Sequence, residues 1–269
     1  MLPVNDPSYL KESQMPNWIR FTYTGKTGFG QLAQDTVHVY VGELFGDKQP
    51  TGESLALSQV ELLTPCVPGK LLGLWNNFHQ RAEKEGLTRP AHPLYFAKTD
   101  NCYLASEQTI RVPETYRGPI IFEGELGVVI GKTCKAISPA QADEYIFGYT
   151  CVNDVTAVGI LNSDASFAQW GRAKSFDTFG PFGPVIASGI EPDDLVVRSL
   201  VNGVEKQNFP VSDMFYQPRE IVSLLSQDMT LHPGDLIACA TSVGAERMRK
   251  GCVVEIAIDG IGVLRNRFE

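Results

Sequence analysis

Short apolar runs and alternations, punctuated by Gly and Pro, fill this chain, and stretches with helical spacing are few. Trp18-Ile-Arg-Phe-Thr-Tyr-Thr24 alternates apolar and polar positions, which puts one apolar face on an extended strand. Gly25-Lys-Thr-Gly28 has turn composition, and further strand segments follow through Val37-His-Val-Tyr-Val41, with His38 read as a surface residue on a strand. Residues 17–62 thus form a small β-rich unit, preceded by an irregular arm over 1–16. Thr64-Pro-Cys-Val-Pro-Gly69 reads as the linker out of it, dividing the chain into an N-terminal part, 1–63, and a main domain, 64–269. In the main domain Leu71-Leu-Gly-Leu74 is a short strand, and Phe78 to Gly86 reads as a helix stopped by its glycine. Strands are expected around 94–97, 120–130, 146–153, 184–187, 195–201, 235–240 and 252–258. Short helices fit 138–146, with Ser138 as cap and Pro139 in the first position, and 218–226. No internal repeat is visible. Strands that are not separated by regular long helices favour a β-rich α+β fold over a doubly wound one.

Composition narrows the function classes. The 269 residues are 43 % hydrophobic and 20 % charged, the balance of an ordinary globular protein long enough to bury a sizeable core. A net charge of −8 argues against nucleic acid and anionic membrane as partners, while a local cluster of cations can still receive a small anion. The six cysteines form no Cys-x-x-Cys pair and mostly lie in apolar runs, as expected of reduced, buried thiols in a cytoplasmic protein. Met1-Leu-Pro-Val-Asn-Asp-Pro7 lacks the apolar centre of a signal peptide, and no run is long and apolar enough to span a bilayer.

The candidate chemistry lies in Ile-Ile-Phe-Glu-Gly-Glu-Leu-Gly-Val-Val-Ile, residues 120–130. Glu123 and Glu125 are two positions apart, so a strand presents them on one face. Burying two like charges side by side is costly, and a divalent cation would resolve it; two hard oxygen ligands suit magnesium, manganese or calcium. An edge strand with both carboxylates in water is the alternative. Asp154 closes Tyr-Thr-Cys-Val-Asn-Asp, where it is either a third ligand or a turn residue. Lys174 stands in an aromatic, Pro/Gly-punctuated stretch, where an ammonium needs a carboxylate partner.

Five segments together resemble the fumarylacetoacetate hydrolase family: Phe122-Glu-Gly-Glu-Leu-Gly-Val-Val-Ile-Gly-Lys132, Gly148-Tyr-Thr-Cys-Val-Asn-Asp154, Ala173-Lys-Ser-Phe-Asp-Thr-Phe179, Val201-Asn-Gly-Val-Glu-Lys-Gln207 and Leu231-His-Pro-Gly-Asp-Leu-Ile237. The resemblance runs from about Leu62 to the C-terminus. It implies a mixed β-sandwich roll around a divalent-metal site, Mg2+ or Mn2+ with Ca2+ as a further candidate, and a homodimer. Glu123, Glu125 and Asp154 match the family's metal ligands, and Lys174 matches the lysine beside the metal. Lys98 matches another lysine facing the pocket, its alternative being a solvated residue at a strand end. Thr241 falls where the family holds a substrate carboxylate, although Cys239 and Ala240 depart from the usual Thr-Gly-Thr. His79 matches the family's catalytic base and Glu83 its orienting partner, four residues on instead of three, both spacings being compatible with one helix face. Trp75 stands where the family has Asn. Val158 and Leu161 are apolar where Arg and Gln are usual, which points to a more apolar substrate or to altered chemistry.

The activity implied first is hydrolysis of a carbon–carbon bond in a 2,4-dioxo acid resembling an acylpyruvate: Glu83 orients His79, His79 deprotonates water, and the metal steadies the departing enolate. The family also hosts decarboxylases and isomerases of 2-oxo and 2-hydroxydienoate acids, which need no attacking water. A non-catalytic, metal-stabilised binding protein is the remaining alternative.

Overall fold

Gly124–Ile130 and Ile146–Asn153 are the strands around which the molecule is organised. All seven residues of the first are buried, because apolar side chains leave both of its faces into packed cores, as a continuous apolar run requires. Leu126, Val128 and Ile130 enter one core with Val197, Ile256 and Leu264. Val129 enters a second with Leu71, Val152, Phe182, Leu236 and Trp18. The computed structural model describes residues 16–269, so the expected arm lies, apart from Pro16, outside the described residues.

The fold is β-rich α+β. One large sheet has the order 48–56, 36–42, 26–33, 17–23, 180–187, 146–153, 124–130, 236–238, 71–75, 94–98. The chain leaving Leu94–Lys98 returns at once through Tyr103–Leu104, which pairs in parallel with Gly180 and Pro181, so the sheet rolls over on itself. A five-stranded sheet (204–210, 196–201, 253–258, 262–268, 109–110) packs against the outer face of the roll. The N-terminal strands join the roll directly: Asn17 and Trp18 pair with Ala187 and Ile186.

The helix read from sequence over 78–86 is observed at His79–Glu85, ended by Gly86 in the left-handed conformation (φ 67°). The helix begun at Pro218 extends to Asp228, and Pro139–Glu144 is a 3-10 helix. Residues 120–130 do not form one strand. Ile120–Ile121 pairs instead with Thr156–Ala157, and the break falls at Phe122–Glu123. The strands Val204–Pro210 and Gly262–Phe268 and the short helices Val158–Leu161 and Trp170–Lys174 were not foreseen. The two strands each lay a polar face to solvent, and the two helices are too short to show a period.

Candidate metal and substrate site

The register of the two central strands assembles the acidic site. Gly124 pairs with Asn153 and Glu125 with Val152, so Asp154 arrives beside Glu123, whose carbonyl accepts the Asp154 N–H at 2.9 Å. Glu123, Glu125 and Asp154 are 4 %, 1 % and 0 % exposed, and one oxygen from each carboxylate lies within 4.8 Å of the others. The reading of an edge strand in water therefore fails.

Three cations pair with two of the three carboxylates. Lys98, wholly buried, donates to Asp154 Oδ1 at 2.6 Å and to the Phe179 carbonyl at 2.9 Å, so it is no solvated strand-end lysine. Lys174, at the end of Trp170–Lys174, bridges Glu123 Oε2 and Asp154 Oδ2. Arg81, which the sequence reading missed, donates to Glu123 Oε1 at 3.1 Å and to Glu85 at 2.9 Å. Its signal was faint: one arginine in a helix of mostly polar residues.

The charges divide unevenly. Burial alone would raise the Glu123 pKa, but Lys174 and Arg81 hold it down at about 2. Glu125 receives one hydrogen bond, from the Ala240 N–H at 2.9 Å; burial, and then the negative charge of Asp154, push its carboxyl well above the usual range. Burial likewise opposes the Lys174 charge, but Asp154, Glu123 and Glu125 outweigh it and raise its pKa. A divalent cation among these oxygens would give Glu125 the partner it lacks. Three hard carboxylate donors fit magnesium, manganese or calcium and leave further positions for water or substrate.

The segment between the two glutamates is pinned from both sides. Gln207 Oε1 accepts the Gly124 N–H at 3.0 Å, and the Thr241 hydroxyl donates to the Gly124 carbonyl at 2.8 Å. Gln207 Nε2 in turn donates to Thr241 Oγ1 at 2.9 Å. A Cβ on residue 124 would stand 2.1 Å from Ser199 Oγ, so only glycine fits between these acids. The Thr241 proton is thus committed to the main chain, and the residue braces the Glu-Gly-Glu segment instead of presenting a free hydroxyl.

His79 and Glu83 are not brought to this cluster. Both are exposed, and the His79 ring lies against Phe215, with centroids 4.2 Å apart. Helix geometry gives the reason: Arg81 and His79 are about 200° apart at 3.6 residues per turn, so when Arg81 points at Glu123 the histidine points away. No hydrogen bond joins His79 to Glu83 among the described residues. A surface cleft of about 1040 Å3 is elsewhere, lined by Tyr116, Val204, Arg247 and Met248 among others, and contains none of Glu123, Glu125 and Asp154.

Comparison with known proteins identifies the family of the chain. Residues 70–269 match the model of the fumarylacetoacetate (FAA) hydrolase C-terminal family, and residues 17–65 match the Rv2993c-like N-terminal family. Protein Rv2993c of Mycobacterium tuberculosis is 38 % identical over 88 % of this chain and 89 % of its own. Oxaloacetate tautomerase YisK of Bacillus subtilis is 35 % identical over 79 % of this chain and 74 % of its own. The crystal structure of 2-hydroxyhepta-2,4-diene-1,7-dioate isomerase from Mycobacterium marinum superposes with a TM-score of 0.86 at 36 % identity, covering 94 % of this chain and 98 % of that one.

Proposed function

The chain belongs to the fumarylacetoacetate hydrolase family, and from that membership we propose that it is a divalent-metal-dependent enzyme acting on the carbon next to the 2-oxo group of a 2-oxo acid, as an isomerase or tautomerase that moves a proton there or as a decarboxylase that releases carbon dioxide and puts a proton in its place. The observation that carries this reading is the buried triad of Glu123, Glu125 and Asp154, with Glu125 short of a cation. Magnesium or manganese held there would supply Lewis acidity to the carboxylate and 2-oxo oxygens of the acid. Lys98 fixes the rotamer of Asp154, and Arg81 that of Glu123. Lys174 carries the ammonium nearest the triad, where it can hold a substrate oxygen by a hydrogen bond. Relatives named as a tautomerase and as an isomerase support a reaction without attacking water.

Hydrolysis, the activity the resemblance implied first, ranks second, because the proposed base and its partner face away from the triad. The deciding experiment is a panel of 2-oxo and 2,4-dioxo acids with magnesium or manganese, following enol absorbance, carbon dioxide and pyruvate. Metal-dependent enol–keto exchange or carbon dioxide release is expected. Pyruvate release from an acylpyruvate as the fastest reaction would make the protein a hydrolase instead. The proposal includes a homodimer in solution; light scattering that gives only a mass near 29.6 kDa would contradict that part.

A further inference from the structure

An aromatic wall beside Lys174 has no role in the chemistry above. Phe96 and Lys98 alternate on Leu94–Lys98, so both leave the same face of the sheet. Lys98 enters the carboxylate cluster, whereas the Phe96 ring lies against the Lys174 ammonium, 5.0 Å from Nζ to the ring centroid. Trp170 starts the helix that ends in Lys174, and it stacks on Phe96 with centroids 5.4 Å apart and planes at 17°. Trp75 meets Trp170 edge-on at 5.8 Å. A continuous path of contacts thus runs from the triad through Lys174 to three aromatic rings. With Leu94 and Tyr95 these rings line a cleft of about 350 Å3. A dry cavity of about 150 Å3 is enough to hold benzene.

The cleft is unlike the site it adjoins. None of its five lining side chains is charged. Leu94, on the same face as Phe96, is 42 % exposed, a large apolar group left at the mouth. A carboxylate placed there would lose hydration with no cation to replace it, whereas a ring would gain offset or edge contacts. The helix Trp170–Lys174 also packs against Val158–Leu161, in which Val158 and Leu161 are half-buried.

We infer that this cleft receives the far end of the substrate, and that the substrate is a 2-oxo acid bearing an aryl or branched apolar substituent instead of a second carboxylate. The inference rests on the proposed binding of a 2-oxo acid at the triad. Calorimetry on the magnesium-loaded full chain with pyruvate, phenylpyruvate and 2-oxoglutarate tests both and separates them. Phenylpyruvate should bind about tenfold or more tighter than the other two, the gain expected from burying one ring. Trp75→Ala and Leu94→Glu should each bring the phenylpyruvate-to-pyruvate ratio within about twofold; Leu94 is at the mouth, so its variant keeps the core intact. Two of the chain's three tryptophans line the cleft, so phenylpyruvate should quench tryptophan fluorescence where pyruvate does not. Pyruvate binding with no preference for phenylpyruvate, or a preference that survives in both variants, overturns the inference alone. Failure of all three acids to bind overturns the functional reading and the inference with it.

Discussion

The strand-borne triad and the helix-borne pair His79 and Glu83 were joined in one mechanism by resemblance, yet they occupy opposite surroundings. The triad is on or beside strands buried on both faces, and its Glu-Gly-Glu segment is gripped by Gln207 and Thr241. The pair is exposed on a helix of seven residues, a length that has little stability of its own. Arg81 ties the two regions, since it leaves that helix to reach Glu123. The contrast teaches where this molecule spends its rigidity: on the groups that would hold a cation and a 2-oxo acid, and not on a base that would activate water.

The largest expected effect comes from the rigid side. Glu123→Ala, Glu125→Ala and Asp154→Ala should each abolish manganese binding in calorimetry, and with it activity. Unchanged affinity in all three would dissolve the distinction between the regions. Stability should separate them further. Removing Asp154 leaves the Lys98 ammonium, with a side chain 0 % exposed, short of its carboxylate, and breaking a buried pair costs about 3–5 kcal/mol. Glu125→Gln removes a carboxyl that forms no ion pair and accepts one hydrogen bond from the Ala240 N–H, so denaturant melts in chelator should show little loss.

Next in size are the braces. Gln207→Leu and Thr241→Val touch no ligand oxygen, but they free the Gly124 peptide between the two glutamates. Groups that orient metal ligands are typically worth about 10–100-fold in affinity. A manganese affinity that falls in this range, with normal metal stoichiometry, is the expected outcome; full affinity in both variants would show that the strand alone positions the acids.

How much of this was legible in the sequence follows from the same contrast. The triad was readable because a strand fixes where positions i and i+2 point, and two acids in an apolar run violate burial unless something pairs them. Register was not readable, so nothing in the sequence set Asp154 against Glu123. Neither was the break at Phe122–Glu123, which arises from pairing of Ile120–Ile121 with a distant segment. The helix 79–85 was foreseen, but not its rotation. That rotation is set by the reach of Arg81 to Glu123 and by Asn77, whose side chain bonds Tyr216 and the Cys239 carbonyl across the roll. Thr241 was read as a holder of the substrate carboxylate, but its hydroxyl donates to the Gly124 carbonyl and accepts from Gln207, partners that the sequence does not show.

A smaller effect concerns pH in the metal-free protein. The Glu125 carboxyl, raised by burial and by Asp154, keeps its proton where an unfolded glutamate, near ~4.3, has lost it. The folded chain then binds more protons than the unfolded one, so stability declines as pH rises above that point. Glu123, held at about 2, works the other way: its contribution is present above ~4.3 and is lost as pH falls toward about 2. Melts in chelator should therefore show Glu125→Gln gaining on the native chain as pH rises above ~4.3. A constant difference across that window would mean that Glu125 is ionised in the folded state.

The smallest effect is expected at the exposed helix. If the enzyme moves a proton beside the 2-oxo group without water, His79→Ala should lower turnover by less than about tenfold, below the 10²–10⁴-fold usual for removing a general base. Oxalate, which mimics the enolate, should bind both proteins alike, because the triad is untouched. A fall in kcat within that larger range, with oxalate affinity preserved, would show that the helix turns His79 inward during the reaction and that hydrolysis is the better reading. Arg81→Ala tests the same point from the other side. If the Arg81–Glu123 contact is what keeps the histidine outward, cutting it should raise any hydrolytic activity; a drop in both activities would mark Arg81 as a support for Glu123 alone.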